Sequence, residues 1–160
     1  MAPAIRQNLK KMDAQLQAEL NAVIRKLWVL PKEVRRYVKQ DLREGATLLQ
    51  SAERGRAPIS DRPHSRGKGG KKVVYTPGNL RKSIMVLPLQ RAKTSVYVGA
   101  KRGGKTDGYY AGFVNFGTKY QRPQRFVEAA EQSAGAAAMN VSIKLIDRRV
   151  AAYINKNFNQ

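Results

Sequence analysis

The fold is decided by the stretch Tyr109-Tyr110-Ala111-Gly112-Phe113-Val114-Asn115-Phe116-Gly117-Thr118, in which aromatic and apolar residues lead to a Gly-Thr corner. A proline-led apolar segment follows at residues 123–127. Residues 109–116 fit either a short helix or a strand, because the period of so short an apolar run does not separate the two. The stretch therefore marks a corner in the chain, just before its last long element.

Upstream of this stretch lies Gly78-Asn79-Leu80-Arg81-Lys82-Ser83-Ile84, which leads into two strand-like runs. Asn79 is a candidate N-cap for a short helical turn that ends at Ser83. The first run, residues 84–89, is apolar and has Pro88 near its end, as at a sheet edge. The second, residues 95–100, alternates valines with Tyr97. Residues 90–94 are short enough for a hairpin connection, so we expect an antiparallel pair.

Long helices flank these strands in the predicted fold. Apolar residues recur every three or four positions over residues 1–30, and a second stripe follows Pro31 over residues 31–53. A helix over residues 123–158 is predicted by the same spacing, with Glu128 and Glu131 near its start. The predicted class is α+β: long N- and C-terminal helices packed on a small antiparallel β-sheet in one domain of 160 residues. The first stripe fits the core and a neighbouring subunit equally well.

The chain is strongly basic. Lysine and arginine number 31 against 11 acidic residues, a formal net charge of +20. Such an excess opposes compaction, and polyanions are its usual partners; the alternative is a solvated surface that only aids solubility. The absence of cysteine excludes disulfides and thiolate metal sites. The apolar runs fall short of the ~18–20 residues that span a bilayer, and the N-terminus shows no signal-peptide pattern, so we expect no membrane partner.

Two glycine-rich segments present cations, and the first of them also contains prolines. Residues 54–78 break all periodicity and are predicted to form a flexible basic loop, which is either an arm or a solvated insertion. A second, Gly/Lys-rich tip follows at residues 101–108. The cations that we expect to face DNA, through non-specific phosphate contacts, are Lys68, Lys71, Lys72, Lys101, Arg102 and Lys105.

The ordered motifs resemble those of the tail-completion family of long-tailed bacteriophages, the head–tail neck proteins that include tail terminators and minor tail protein Z-like proteins. The matching positions are Gly78, Leu80, Arg81, Ser83 and Ile84, then Tyr110, Ala111, Val114, Phe116, Gly117 and Thr118. The resemblance covers roughly the C-terminal three quarters of the chain. Asn115 departs from the pattern, since the family usually has an acidic residue there, and residues 123–127 match its Pro-Phe-Leu-Arg-Pro run only loosely.

The resemblance implies a structural virion protein of the phage neck, assembled in the host cytoplasm. It implies a homo-oligomeric ring, expected to be a hexamer, that joins head to tail and lets the genome pass. Its expected partners are a head-side connector or stopper protein and the tail tube protein. We expect the subunit interface to include Arg81, Phe116, Gly117 and Thr118.

No catalytic, cofactor or metal site is predicted. The single histidine, His64, has only Asp61 close to it in sequence, and no activated nucleophile accompanies the pair. No zinc-ligand spacing occurs, and residues 67–72 lack the spacing and the Ser/Thr of a phosphate loop. The protein is therefore not expected to be an enzyme.

Two other functions remain open on the residues alone. A general basic nucleic-acid-binding protein, associated with the nucleoid or the ribosome, shares the charge and the basic loop. Tyrosines could then stack on bases, although packing within the fold is the expected role of most of them; the candidates are Tyr97, Tyr109, Tyr110 and Tyr120. A small basic nuclease-type toxin would have to use His64 with lysines or arginines. Neither function accounts for the ordered family-like motifs.

Overall fold

A computed structural model of the chain describes residues 32–67, 72–88 and 95–158, together with residue 18 alone. The elements in chain order are α1 (Lys32–Arg56), β1 (His64–Arg66), β2 (Val73–Tyr75), α2 (Asn79–Ser83), β3 (Ile84–Pro88), β4 (Val96–Ala100), α3 (Ala111–Phe116) and α4 (Phe126–Phe158). The predicted α+β class is confirmed, although the strands form two separate antiparallel pairs. The predicted helix over residues 1–30 and the connection at 90–94 lie outside the described residues, apart from residue 18.

The main packing contact joins the two long helices, α1 and α4. Val38 and Ile146 are buried between them, with Leu42 and Val150 packed alongside. Val38 and Leu42 are four residues apart, so the predicted apolar stripe of the second helix is the face that it buries. At Gly45 the helices approach so closely that a Cβ would overlap Ser142 and the carbonyl oxygen of Ala138.

A buried ion pair lies one turn from this close approach. Asp41 on α1 is fully buried, and the guanidinium of Arg149 on α4 donates two hydrogen bonds to its carboxylate, at 2.8 Å and 2.6 Å. The guanidinium carbon of Arg149 also lies 4.8 Å from the ring centroid of Tyr37. A bidentate pair fixes both the distance and the rotation of the two helices, because the planar fork matches the carboxylate in only one orientation.

The two-stranded sheet β3–β4 lies against α1. Its register pairs Ile84 with Ala100 and Pro88 with Val96, within the two strand ranges predicted from the sequence. The side chains of Gln50 and Arg54 on α1 both donate hydrogen bonds to the carbonyl oxygen of Ile84, at 2.9 Å and 3.0 Å. These bonds tether the start of β3 to the long helix.

A second core cluster lies where α1, α2, β3 and α4 meet. Its buried members are Ala57, Leu80, Ile84 and Phe126. Residues 109–116 fit either a helix or a strand in the sequence. The structure shows that Ala111–Phe116 form the helix α3, which packs Ala111 and Val114 against this cluster. Ala111 and Val114 are three residues apart, so a helix places both on the same core, whereas an extended strand would point them to opposite faces.

Several element ends differ from those predicted. Asn79 is the first residue of α2 and Gly78 takes the N-cap position at a left-handed φ of 80°; the Asn79 amide instead donates hydrogen bonds to the carbonyl of Asp107 and the hydroxyl of Tyr110. α1 continues to Arg56, and α4 begins at Phe126 because Arg125 adopts a φ of 46°. Because contacts with other elements set these ends, local helix propensity alone does not predict them.

The segment 54–78, predicted as a flexible loop, contains structure where it is described. β1 and β2 pair in antiparallel register, with His64 opposite Tyr75 and Arg66 opposite Val73. Three-residue strands carry too little alternation to be seen in a sequence, and aromatic contacts described below hold them in place. The mobility of the rest of this segment stays a prediction. Across residues 32–67, 72–88 and 95–158, no helix combines the length and apolar character that crossing a bilayer demands.

Replacing Arg149 by alanine leaves Asp41 buried without its cation. We expect the free energy of unfolding to fall by about 3 kcal/mol, the lower end of the cost of breaking a buried ion pair, because Arg149 keeps some contact with solvent. Urea denaturation at neutral pH measures the loss. Arg148→Ala removes a neighbouring exposed arginine and should change stability by no more than about 0.5 kcal/mol. Equal losses in the two variants would show that the ion pair does not hold the helices.

Candidate functional site

Four aromatic rings hold the β1–β2 hairpin against the loop that precedes α3. His64 stacks on Tyr75 with ring centroids 5.1 Å apart, and it meets the edge of Tyr110 at 4.7 Å. Tyr109 lies 5.4 Å from both Tyr75 and Tyr110. Such offset and edge-on pairs stabilise contacts beyond their buried area. His64 is therefore a packing group, and the hairpin and residues 101–110 form one continuous surface.

Asp107 organises the loop between β4 and α3. Its carboxylate accepts hydrogen bonds from the backbone N–H groups of Gly103 and Tyr109, at 2.8 Å and 3.1 Å, and from the hydroxyl of Tyr75 at 3.1 Å. The bond from Gly103 is the main cause that lowers the pKa of Asp107, and the bonds from Tyr75 and Tyr109 act in the same direction. Gly103 and Gly104 turn the chain at positive φ. The tip therefore has a defined shape.

Cations from the hairpin and the tip lie together on this surface. The guanidinium carbon of Arg66 is 4.4 Å from the ring centroid of Tyr109, and Arg66 and Arg102 line one shallow groove with Phe113. Lys101 and Lys105 are exposed on the same loop. We call these four cations the basic face. Arg66 was absent from the sequence-predicted set, because only the hairpin and its aromatic contacts bring it to the tip.

Among the remaining predicted DNA-facing residues, only Lys72 is described. Lys72 is exposed and directly precedes β2, whose first residue pairs with Arg66. Lys68 and Lys71 lie outside the described residues. The structure thus brings Lys101, Arg102 and Lys105 together on one loop, and Lys72 lies at the end of the neighbouring hairpin.

A second surface has the opposite local charge. A groove runs between α1, β4, α3 and α4, in two adjoining sections of about 370 and 230 Å³. Both sections share the apolar side chains of Val98 and Val127 and the carboxylate of Glu53. Glu131 lines one section and Glu128 the other. We call this surface the carboxylate groove. The sequence suggested only helix-start acids at Glu128 and Glu131, and Glu53 carried no signal at all.

Glu53 lies at the bottom of this groove with only 2% of its surface exposed. Its Oε2, like the Oε2 of Glu128, has no hydrogen-bond partner among the described residues. Burial is the main cause that raises the pKa of Glu53 from 4.5 to about 7, and repulsion from Glu131 adds to it. Buried carboxylate oxygens nearly always have a donor, so this one marks an incomplete environment.

The predicted interface residues have different roles in the structure. Arg81 donates hydrogen bonds from Nε to the carbonyl of Ala57, at 2.7 Å, and from a terminal nitrogen to that of Gly55, at 3.2 Å. These carbonyls lie at the C-terminal end of α1, where helices lack internal donors and favour cations. Gly117 adopts a φ of 77°, and a Cβ there would meet Pro123 and the carbonyl of Gln121. Both residues shape the subunit itself.

Phe116 and Thr118 differ from them in exposure. The Phe116 side chain is 74% exposed and lines the carboxylate groove beside β4, so it is available to a partner. Thr118 begins an exposed turn and forms a β-bridge with Gln121. Asn115, next to Phe116, is buried, and its Oδ1 accepts a hydrogen bond of 3.0 Å from the Val127 N–H at the start of α4. This bond gives the neutral amide a capping role.

Comparisons with known proteins identify the family of this chain. A family model described as "Bacteriophage HK97-gp10, putative tail-component" matches residues 4–117, well over half of the chain. The chain therefore belongs to this family of phage tail components, and the resemblance inferred from its motifs is confirmed. It is a structural component of the virion tail. Searches of curated proteins and of solved structures find no significant match.

Glu53→Gln tests the buried carboxyl in the monomeric chain. The folded state holds this proton more tightly than the unfolded state, so stability is lost as the pH rises from 4.5 to about 7. The glutamine variant should therefore equal the wild type near pH 4 and be more stable near pH 8, by at most about 3 kcal/mol. Urea denaturation at both pH values measures this difference. Glu131→Gln should give a smaller gain, because repulsion is the lesser cause. A pH-independent difference would contradict the assignment.

Proposed function

We infer that the protein is a tail-completion or tail-terminator subunit of the phage neck. In this role it forms a homo-oligomeric ring, six-fold like the tail, that joins head to tail and lets DNA pass. A head-side connector or stopper protein and the tail tube protein bind its two rims. The protein acts by assembly and by charge, without catalysis.

The observation that carries this function is the exposed apolar surface around α3. Phe113 and Phe116 on α3 and Tyr97 on β4 all have more than half of their surface exposed. Tyr97 and Phe116 line the same groove, and exposed large apolar side chains gathered in this way on a small subunit are typical of protein–protein contacts. Among phage tail components, such a surface supports assembly with other virion subunits.

The basic face supports contact with the genome in the channel. Duplex DNA carries one negative charge per ~1.7 Å of its axis, so cations spaced around a ring meet phosphates whatever the sequence. Contacts with phosphates alone position DNA without reading it. Tight sequence-specific binding would impede passage, whereas weak contacts that exchange with counter-ions allow the duplex to slide.

Phe116→Ala tests the assembly surface. Because the side chain is 74% exposed, its removal should leave the free energy of unfolding of the monomer nearly unchanged. It should nevertheless lower the fraction of ring or of completed tails, measured by native mass spectrometry and electron microscopy. Phe126→Ala is the matched control. Phe126 is only 3% exposed, and this variant should lose about 3–5 kcal/mol of stability. Normal rings and infectious particles with Phe116→Ala would contradict the proposal.

The DNA contact is tested by its dependence on salt. Removing Lys101, Arg102 and Lys105 together should flatten the log–log salt slope by up to about 2.7, at roughly 0.9 per phosphate contact. Relative affinity among unrelated duplexes should not change. Fluorescence anisotropy at several salt concentrations measures both quantities. Lys144→Ala with Arg148→Ala removes exposed cations of α4 and should change the slope much less.

The outcomes also separate the alternatives. A strong preference for one duplex would favour a nucleoid-type protein. No affinity at low salt would assign the basic face to acidic surfaces of neighbouring neck proteins and remove only the DNA contact from the proposal.

A further inference from the structure

An exposed turn between α3 and α4 presents a tyrosine flanked by cations. Thr118 and Gln121 exchange backbone hydrogen bonds of 2.9 Å and 3.3 Å, and the hydroxyl of Thr118 accepts a bond of 3.2 Å from the Tyr120 N–H. Tyr120 at the tip is 87% exposed. The ammonium of Lys119 lies 4.7 Å from its ring centroid. We call residues 118–122 the tyrosine turn.

Both ends of this turn are fixed to the fold. Gly117 closes it at positive φ against Pro123. The N–H groups of Gln124 and Arg125 donate to the carbonyls of Val114 and Asn115 at the end of α3, each at 3.1 Å. A tyrosine held on a shaped turn loses little conformational freedom on binding, which is a property of residues that dominate interfaces.

The carboxylate groove has the complementary chemistry. Its walls are apolar, with Val98, Val127 and Met139 among them, and suit an aromatic ring. At its bottom, Glu53 is 2% exposed and has one oxygen with no donor in the described part of the chain. Glu128 and Glu131 also line the groove and place negative charge there, on a chain whose net charge is +20. The occupant that this environment favours brings an aromatic ring, a hydroxyl donor and flanking cations.

The turn and the groove lie on two sides of α3. Gln121 and Gln124 line a cavity together with Tyr110 and Val114. The groove, by contrast, is lined by Ala111, Asn115 and Phe116 from the same helix. Two complementary surfaces at different places on one chain join copies head to tail, and such a contact closes a ring when the rotation between copies allows it.

We propose that Tyr120 of one protomer enters the carboxylate groove of the next, donates its hydroxyl proton in a hydrogen bond to Glu53, and brings Lys119 and Arg122 close to Glu128 and Glu131. This contact rests on the proposed ring and specifies which surfaces form it. It gives the buried oxygen of Glu53 its missing donor. It also offsets the local negative charge that otherwise has no counterpart in the described part of the subunit.

Substitutions in the turn test this contact in the full-length chain. Tyr120→Ala should weaken self-association by roughly 30-fold, as expected for a central interface tyrosine. Tyr120→Phe keeps the ring and loses only the hydroxyl, so it should weaken association by roughly tenfold. Sedimentation velocity measures association, and thermal unfolding of the monomer should be unchanged in both variants. Arg148→Glu, at an exposed position on α4 that lines neither surface, is the matched charge control.

Mixing two defective chains tests the head-to-tail geometry. Tyr120→Ala removes the ring that the turn presents and Glu131→Lys reverses a charge of the groove, so at a concentration where the wild type associates each variant alone should be mostly monomeric. Together they retain one intact contact, so the mixture should form dimers and stop there. Combining Arg122→Glu with Glu131→Lys in one chain should restore part of the association that either change removes. No dimer in the mixture, or no rescue by the charge exchange, would overturn the contact.

A photoreactive phenylalanine analogue in place of Tyr97, on the groove wall, identifies the occupant. We expect intermolecular cross-links to residues 118–122. Cross-links to residues 1–30 instead would assign the groove to the N-terminal segment and overturn the proposal. If the Tyr120→Ala variant forms rings as well as the wild type does, the proposed contact is wrong and the proposed function still stands. A wild-type chain that forms no ring, alone or with neck proteins, would remove the proposed ring itself.

Discussion

The close approach of α1 and α4 is the constraint on which the other contacts depend. Only glycine fits at position 45, because the backbone and Ser142 of the facing helix occupy the space of a side chain. One turn away, the bidentate pair of Asp41 and Arg149 sets the rotation of the two helices. Once α1 is fixed in this way, Gln50 and Arg54 position the start of β3, and Arg81 satisfies carbonyls at the helix end.

The short helix α3 positions the outward-facing surfaces relative to this core. A helix of six residues has little stability of its own, and it persists because Ala111 and Val114 pack on the core. Its last carbonyls accept N–H groups of Gln124 and Arg125, just before α4, and the Asn115 side chain caps α4. One short helix thereby places Phe116 beside the groove and the tyrosine turn on its other side.

The distribution of charge distinguishes the basic face from the carboxylate groove. A chain with a net charge of +20 repels other copies of itself at long range. Carboxylates gathered in an apolar groove provide a local exception, and burial makes the charge on Glu53 costly until a donor arrives. The cations of the basic face, shaped by Asp107 and the four aromatic rings, are left for a polyanion.

The sequence by itself determined the class of the fold, the strands at residues 84–89 and 95–100, the long C-terminal helix and the family, because periodicity and ordered motifs are local properties of a chain. It also identified Lys101, Arg102, Lys105 and Phe116 as surface candidates, since composition predicts exposure of cations and the motif marked the corner. Only the tertiary structure decided that Arg66 joins the basic face and that Arg81 serves the end of α1. It also decided that one oxygen of Glu53 lies in a groove with no donor among the described residues. These features depend on contacts between residues up to 108 positions apart, as in the pair of Asp41 and Arg149. A pattern of neighbouring residues does not specify contacts over such distances in sequence. The burial of side chains and the hydrogen bonds between elements arise only when the helices have packed.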